Sequence, residues 1–312
     1  MSVNAKETYL SEYEDCRLCP RECNARRNDD AKGVCSESSR LMVTRAALHM
    51  WEEPCISGDN GSGALFFAGC PLKCVFCQNY EISRGTFGKE ISVERLSEIF
   101  LELQDKGANN INLVTPTHYV PHIVRAAETA RSNGLNIPFV YNSSGYEKPD
   151  TLEMLRGVVD VFLPDFKYFS SDTAALFSKA PDYPEVAKAT IDKMYEIADA
   201  PSFDPTTGII QKGVIVRVLV LPAHTKEAIQ IIRYLHDRYG DNIYISIMSQ
   251  YTPLPDILPE GAEYDCLRRS LTKREYDKVL NATLDMGVTN AFFQDGAVNK
   301  ESFIPPFNLE GV

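Results

Sequence analysis

A chain of 312 residues that is 44% hydrophobic and 24% charged has enough apolar material for a sizeable α/β domain, and it lacks the bias of a fibrous or disordered protein. Its 43 acidic against 32 basic residues give a net charge of −11, which argues against a broad nucleic-acid footprint or binding to an anionic membrane. The opening "MSVNAKETYLSEYED" lacks the basic start and apolar run of a signal peptide, and no apolar run approaches the roughly 18–20 residues that cross a bilayer, so a cytoplasmic setting is expected.

Residues 1–60 read as a cysteine-rich N-terminal extension, with little strand or helix periodicity beyond "RLMVTRAALHMW". Cys16, Cys19, Cys23 and Cys35 follow the pattern C-x2-C-x3-C-x11-C. Clustered cysteines in a reducing compartment read as metal ligands rather than disulfides. Thiolates hold zinc and iron alike, so two occupants are open here: a structural zinc ion or an auxiliary iron–sulfur cluster.

From residue 61 to 312, β-rich apolar runs alternate with helical patterns. The strands are expected at 64–69, 111–116, 138–144, 158–166, 214–222 and 243–251. Helices are expected at 92–107, 122–134, 151–157, 183–200, 225–240 and 271–287, with Ser92 a candidate N-cap and Gly107 a stop. The segment 199–213 reads as a surface loop with the makings of a hairpin. Near-continuous apolar strands between helices predict a parallel sheet of βαβ units, here a partial (β/α)6 TIM-like barrel. In such folds the loops after the strands gather on one face and bind ligand. Those loops carry a cysteine triplet and then "TPTHY", "NSSGY", "DFKYF", "LPAHT" and "SQYTP", all polar.

The triplet lies in "AGCPLKCVFCQNYE", where Cys70, Cys74 and Cys77 fall within eight residues. Three thiolates are one short of a closed zinc site, but on an iron–sulfur cubane they leave one iron open to a non-protein ligand. Gly69 lets the backbone turn sharply out of the strand before them. Cys55 and Cys266 stand alone and read as small buried hydrophobes. His118 and His122, four apart, suit capping or substrate contact, whereas His49, His224 and His236 give no signal.

At "GCPLKCVFCQN" the chain resembles the CxxxCxxC loop of radical S-adenosylmethionine (SAM) enzymes. The wider chain, through "CRLCPREC", "NINLVTPTHYVP", "YNSSGYE", "LPDFKY" and "RVLVLP", resembles the PflX-type, pyruvate-formate-lyase-activating-enzyme-like branch. The resemblance implies a [4Fe–4S] cluster on Cys70, Cys74 and Cys77, with SAM chelating the fourth iron. An electron from a donor such as flavodoxin or ferredoxin would then cleave SAM to a 5′-deoxyadenosyl radical that abstracts hydrogen. It also implies that Phe76 lies against the adenine. Thr115 and Thr117 stand where the family commonly has "GGE", and Asn142, Ser143 and Ser144 stand in place of "DTNG". Asp165 and Lys167 match "DLK", and two residues apart on an extended segment they point to the same side. Arg217 interrupts an apolar strand, so it needs either a SAM carboxylate or a buried acid as partner.

The expected activity is radical SAM cleavage, in the activating-enzyme branch to place a radical on a glycyl radical enzyme. The alternatives are a radical SAM reaction on a small molecule, peptide or RNA, and a non-catalytic iron–sulfur electron-transfer or redox-sensing protein.

Overall fold

The apolar runs settle into strands that are buried on both faces. A computed structural model describes residues 9–294 and 305–312, and within them ten strands form one sheet. They are β1 Met42–His49, β2 Ser62–Phe67, β3 Lys89–Glu90, β4 Ile111–Val114, β5 Phe139–Ser143, β6 Val161–Pro164, β7 Ser202–Phe203, β8 Ile210–Leu219, β9 Tyr244–Met248 and β10 Ala291–Phe293. Every residue of β2, β4, β5 and β6 is buried, as expected of parallel strands covered on both sides by helices.

The order across the sheet is β10-β9-β8-β6-β5-β4-β2-β1-β3, with β7 hairpinned onto β8. From β2 to β10 all neighbours on this path are parallel, whereas β1 and β3 run antiparallel at the other edge. The sheet is thus mostly parallel and open, β10 and β3 being its ends. Six parallel strands were expected and seven form; β10 is too short a run to announce itself in sequence. The segment 42–49, read with the N-terminal extension, is β1 and pairs along β2 from Val43 opposite Phe67 to His49 opposite Ser62. The C-terminal residues lie along the same strand, with the Ala46 N–H donating to the Glu310 carbonyl at 2.8 Å.

Six helices of eight or more residues cover the sheet among the described residues: α1 Val93–Asp105, α2 Val120–Ser132, α3 Ser171–Ser178, α4 Tyr183–Ala198, α5 Thr225–Tyr239 and α6 Lys273–Asp285. Ser92 caps α1 by accepting from the Arg95 N–H, and Thr272 with Glu275 forms a capping box on α6. Helix α3 was not foreseen; its "SDTAALFS" offers only two turns of pattern. No helix among the described residues is long and apolar enough to cross a membrane.

Candidate radical site at the strand ends

The register brings the polar loops together. Phe66, Val114, Asn142 and Leu163 lie in one row across β2, β4, β5 and β6, so the residues after them leave the sheet side by side. A cavity of about 220 Å3 opens there. Its wall includes Cys70, Cys74 and Cys77 from the loop after β2, Thr115 after β4, Asn142, Ser143 and Ser144 at β5, Asp165 and Lys167 after β6, and Arg217 on β8.

Two glycines make the close approach feasible. At Gly69 (φ +81°) a Cβ would stand 2.6 Å from the Cys35 carbonyl oxygen, so only glycine lets the cysteine loop leave β2 on this path. At Gly145 (φ +71°) a Cβ would fall 2.1 Å from the Asp165 carbonyl oxygen. Tyr183, fully buried, joins the same two loops: its hydroxyl lies 2.8 Å from the Ser144 carbonyl and 3.0 Å from that of Asp165, and accepts from the Lys167 N–H. Thr115 adopts φ +58°, a strained conformation for a β-branched residue, and it does so at the cavity wall.

The polar wall is a charge network. Arg217 donates from Nε to Asp165 (3.1 Å), from one terminal nitrogen to Glu52 (3.2 Å) and from the other to Asn142. Lys167 donates to the second oxygen of Asp165 at 2.6 Å. Burial pushes the Asp165 carboxyl up, but Lys167 and Arg217 outweigh it and hold the group below its ordinary range. Burial likewise disfavours charge on Lys167, yet Asp165 and the neighbouring cysteines hold its amine above the usual value. The partner that Arg217 needed is therefore a pair of partly buried acids. Glu52, whose carboxyl burial pushes up, was missed in sequence, where it lay in a segment read as extension.

Phe76 lines the cavity and also packs edge-on against Tyr168, Phe177 and Tyr251 at ring separations of 6.0–6.3 Å. Thr117 does not reach the cavity wall. It is buried and donates to Glu147 at 2.9 Å. His118 and His122 are also buried, each donating from Nε2 to a backbone carbonyl, of Ala68 and Ser39 respectively, at 2.7 Å. Burial lowers them to about 3 and about 4, so both are neutral structural groups. Cys55 is buried as expected, but Cys266 is partly exposed, 3.8 Å from His224 Nε2. Gln78, Gln250 and Tyr251 also line the cavity; none was singled out in sequence, although Gln250 and Tyr251 belong to the polar loop "SQYTP".

Glu147, fully buried between Thr117 and Tyr141, is pushed up to about 7 by burial, against the hydrogen bonds that favour its charge. A carboxyl raised above its unfolded value keeps a proton that the unfolded chain has lost. Folding therefore becomes less favourable as pH rises from about 4.5 to about 7. The wild type is expected to lose about 3 kcal/mol across that window, and Glu147→Gln to lose none of it. Chemical denaturation from pH 4.5 to 8 checks this, and parallel pH profiles would refute it.

The thiols are kept from solvent. Burial pushes Cys70 up to about 12 and raises Cys77 as well, with the neighbouring cysteine sulfurs adding to both. Metal binding replaces such protons. Among the described residues no three Cys, His, Asp or Glu side chains already stand at single-ion spacing. A cubane takes each thiolate on its own iron, and three free cysteines on one cavity wall, Cys70 and Cys74 buried and Cys77 partly so, fit that donor set.

The Radical SAM superfamily model matches residues 65–235, the span from the strand before the triplet into α5. The chain belongs to the radical SAM superfamily. Membership implies a [4Fe–4S] cluster and SAM. This radical SAM chain is 30% identical over 277 residues to an uncharacterized protein of Methanocaldococcus jannaschii, covering 86% of this chain and 74% of that protein. It is also similar to Streptococcus suis SuiB bound to SAM (14% identity, TM-score 0.46), covering 72% of this chain and 47% of SuiB, about half its length. A radical SAM methyltransferase of Sphaerobacter thermophilus is similar at 12% identity and TM-score 0.47, covering 82% and 77% of the two chains.

Proposed function

We propose that this radical SAM enzyme cleaves SAM reductively in the cavity at the strand ends and abstracts a hydrogen atom from a small-molecule or peptide substrate held beside it. The observation that carries the reading is the shared wall: Cys70, Cys74 and Cys77 face the same cavity as Asn142, Ser143, Asp165 and Lys167. A bound cluster, once reduced by an external donor, would supply the one electron that splits SAM to methionine and a 5′-deoxyadenosyl group able to take a hydrogen atom from the substrate.

The residues of the chain bind and orient. Cys70, Cys74 and Cys77 would hold the cluster through three thiolates on the cavity wall. Lys167 and Asp165, locked together, present an acid and a base to a zwitterionic ligand, and Asn142, Ser143, Ser144 and Thr115 offer hydrogen bonds beside them. Phe76 offers an apolar ring on which an adenine can rest. Dithionite-reduced, reconstituted protein is expected to form 5′-deoxyadenosine from SAM, and none by chromatography would overturn the reading.

The activating-enzyme-like branch is a second reading, supported by "DFK" and "NSSG" supplying Asp165, Lys167 and Asn142 to the wall. Its mark would be a doublet glycyl signal in electron paramagnetic resonance when a glycyl radical enzyme is added; 5′-deoxyadenosine without that doublet favours the first.

A further inference from the structure

The N-terminal quartet is untouched by this chemistry, yet its surroundings are built around it. Cys16, Cys19 and Cys35 are buried and Cys23 is partly so, and all four are free thiols. Gly33 faces two of them: a Cβ there would meet Cys23 Sγ at 3.2 Å and Cys35 Sγ at 3.3 Å, so sulfurs twelve residues apart in sequence converge on its bare side. Cys23 itself lies between Glu22 (φ +38°) and Asn24 (φ +52°), two non-glycine residues in left-handed backbone. Strain of that kind persists only where the surroundings over-determine it.

The second observation is Arg27. Its side chain is fully buried, stacked on the Tyr13 ring with 4.5 Å to the centroid. One terminal nitrogen donates to Cys16 Sγ (3.6 Å) and to the His118 carbonyl (2.8 Å), and the other to the Ser38 carbonyl (2.7 Å), while Nε has no partner. Among the described residues no carboxylate forms an ion pair with it. A guanidinium sealed from water without an anion is costly, because carbonyl dipoles do not cancel its charge. The Glu37 carboxyl lies within its electrostatic reach without pairing to it, and the ionisable group that its terminal nitrogen touches is the Cys16 thiol, with Cys35 also in its field; metal binding is what converts buried thiols to thiolates.

We propose that Cys16, Cys19, Cys23 and Cys35 hold a thiolate-bound metal centre whose negative charge is balanced by the buried guanidinium of Arg27. No three of these side chains stand at single-ion spacing, so an iron–sulfur cluster, which takes each thiolate on its own iron, fits the quartet better than a lone zinc ion, and it too carries net negative charge toward Arg27. The centre sits directly behind the radical loop. The Cys70 N–H donates to the Cys35 carbonyl at 3.1 Å, and Arg21 donates to the Pro71 carbonyl at 3.0 Å. A metal centre there would brace the loop that carries Cys70 from behind.

The test keeps the quartet intact and removes the other site. A full-length Cys70→Ala/Cys74→Ala/Cys77→Ala variant, purified without oxygen, is analysed for zinc, iron and acid-labile sulfide, before and after anaerobic reconstitution. About one zinc per chain, or iron with matching sulfide, supports the centre and says which metal it holds. A chain carrying neither overturns it. Adding Arg27→Met to that variant is expected to weaken metal retention against a chelator by at least about tenfold, with Arg27→Lys in between, as for groups that support metal ligands from outside. Retention unchanged by Arg27→Met would overturn the role of the guanidinium. None of these readouts depends on SAM cleavage or on the substrate.

Discussion

Cys74→Ala is expected to abolish 5′-deoxyadenosine formation while leaving the chain folded. Cys74 is buried in the cavity wall, and its loss removes one of three candidate iron ligands with no fourth cysteine on that wall to replace it. Groups that merely support a metal ligand cost roughly 10–100-fold when removed, so losing a ligand itself should exceed about 100-fold. The fold should persist because alanine fills part of the same apolar loop packing and the sheet does not run through it. Chromatography for 5′-deoxyadenosine and the visible absorbance of the cluster measure the two sides. An intact rate in Cys74→Ala would mean that the radical chemistry lies elsewhere, whatever the family.

Arg217→Met is expected to be the most destabilising single change at the cavity, by about 3 kcal/mol near neutral pH, because it strands two partly buried carboxylates. Glu52 loses its cation, and Asp165 keeps only Lys167. The sign with pH follows. Asp165, held low in the folded state by Lys167 and Arg217, contributes stability above its unfolded value that is lost as pH falls. The variant has less of that stability to lose, so its deficit should shrink as the carboxyls protonate. Arg217→Lys should recover little, since an ammonium cannot reach Asp165, Glu52 and Asn142 from one planar fork. Pairing Arg217→Met with Glu52→Gln should restore part of the loss, and a double-mutant cycle in urea measures the coupling. Additive effects would show that the network is not the source.

The strands β4, β5, β6 and β9 and helices α1, α4 and α5 were legible because buried parallel strands write apolar runs and covering helices write 3.6-residue periodicity. The cysteine triplet was legible because one short loop supplies all three ligands. Glu52 was not: its partner Arg217 lies 165 residues away, and nothing local marks a glutamate that will be buried. Thr117 shows the converse. Its position in a polar loop suggested the cavity, but the turn after β4 sends its hydroxyl to Glu147 instead. Strand β10 and helix α3 were missed because three residues, or two helical turns, are too few for a period to show.

By itself the sequence determined the alternation of strand and helix, the three cysteines of the radical loop and the family to which they belong, since each is written in contiguous residues. Only the tertiary structure decided which acids neutralise Arg217, that β1 joins the sheet's edge, and that the buried Arg27 faces the N-terminal cysteines. Burial and charge pairing are relations between residues far apart in the chain, and they exist only once the sheet has set its register.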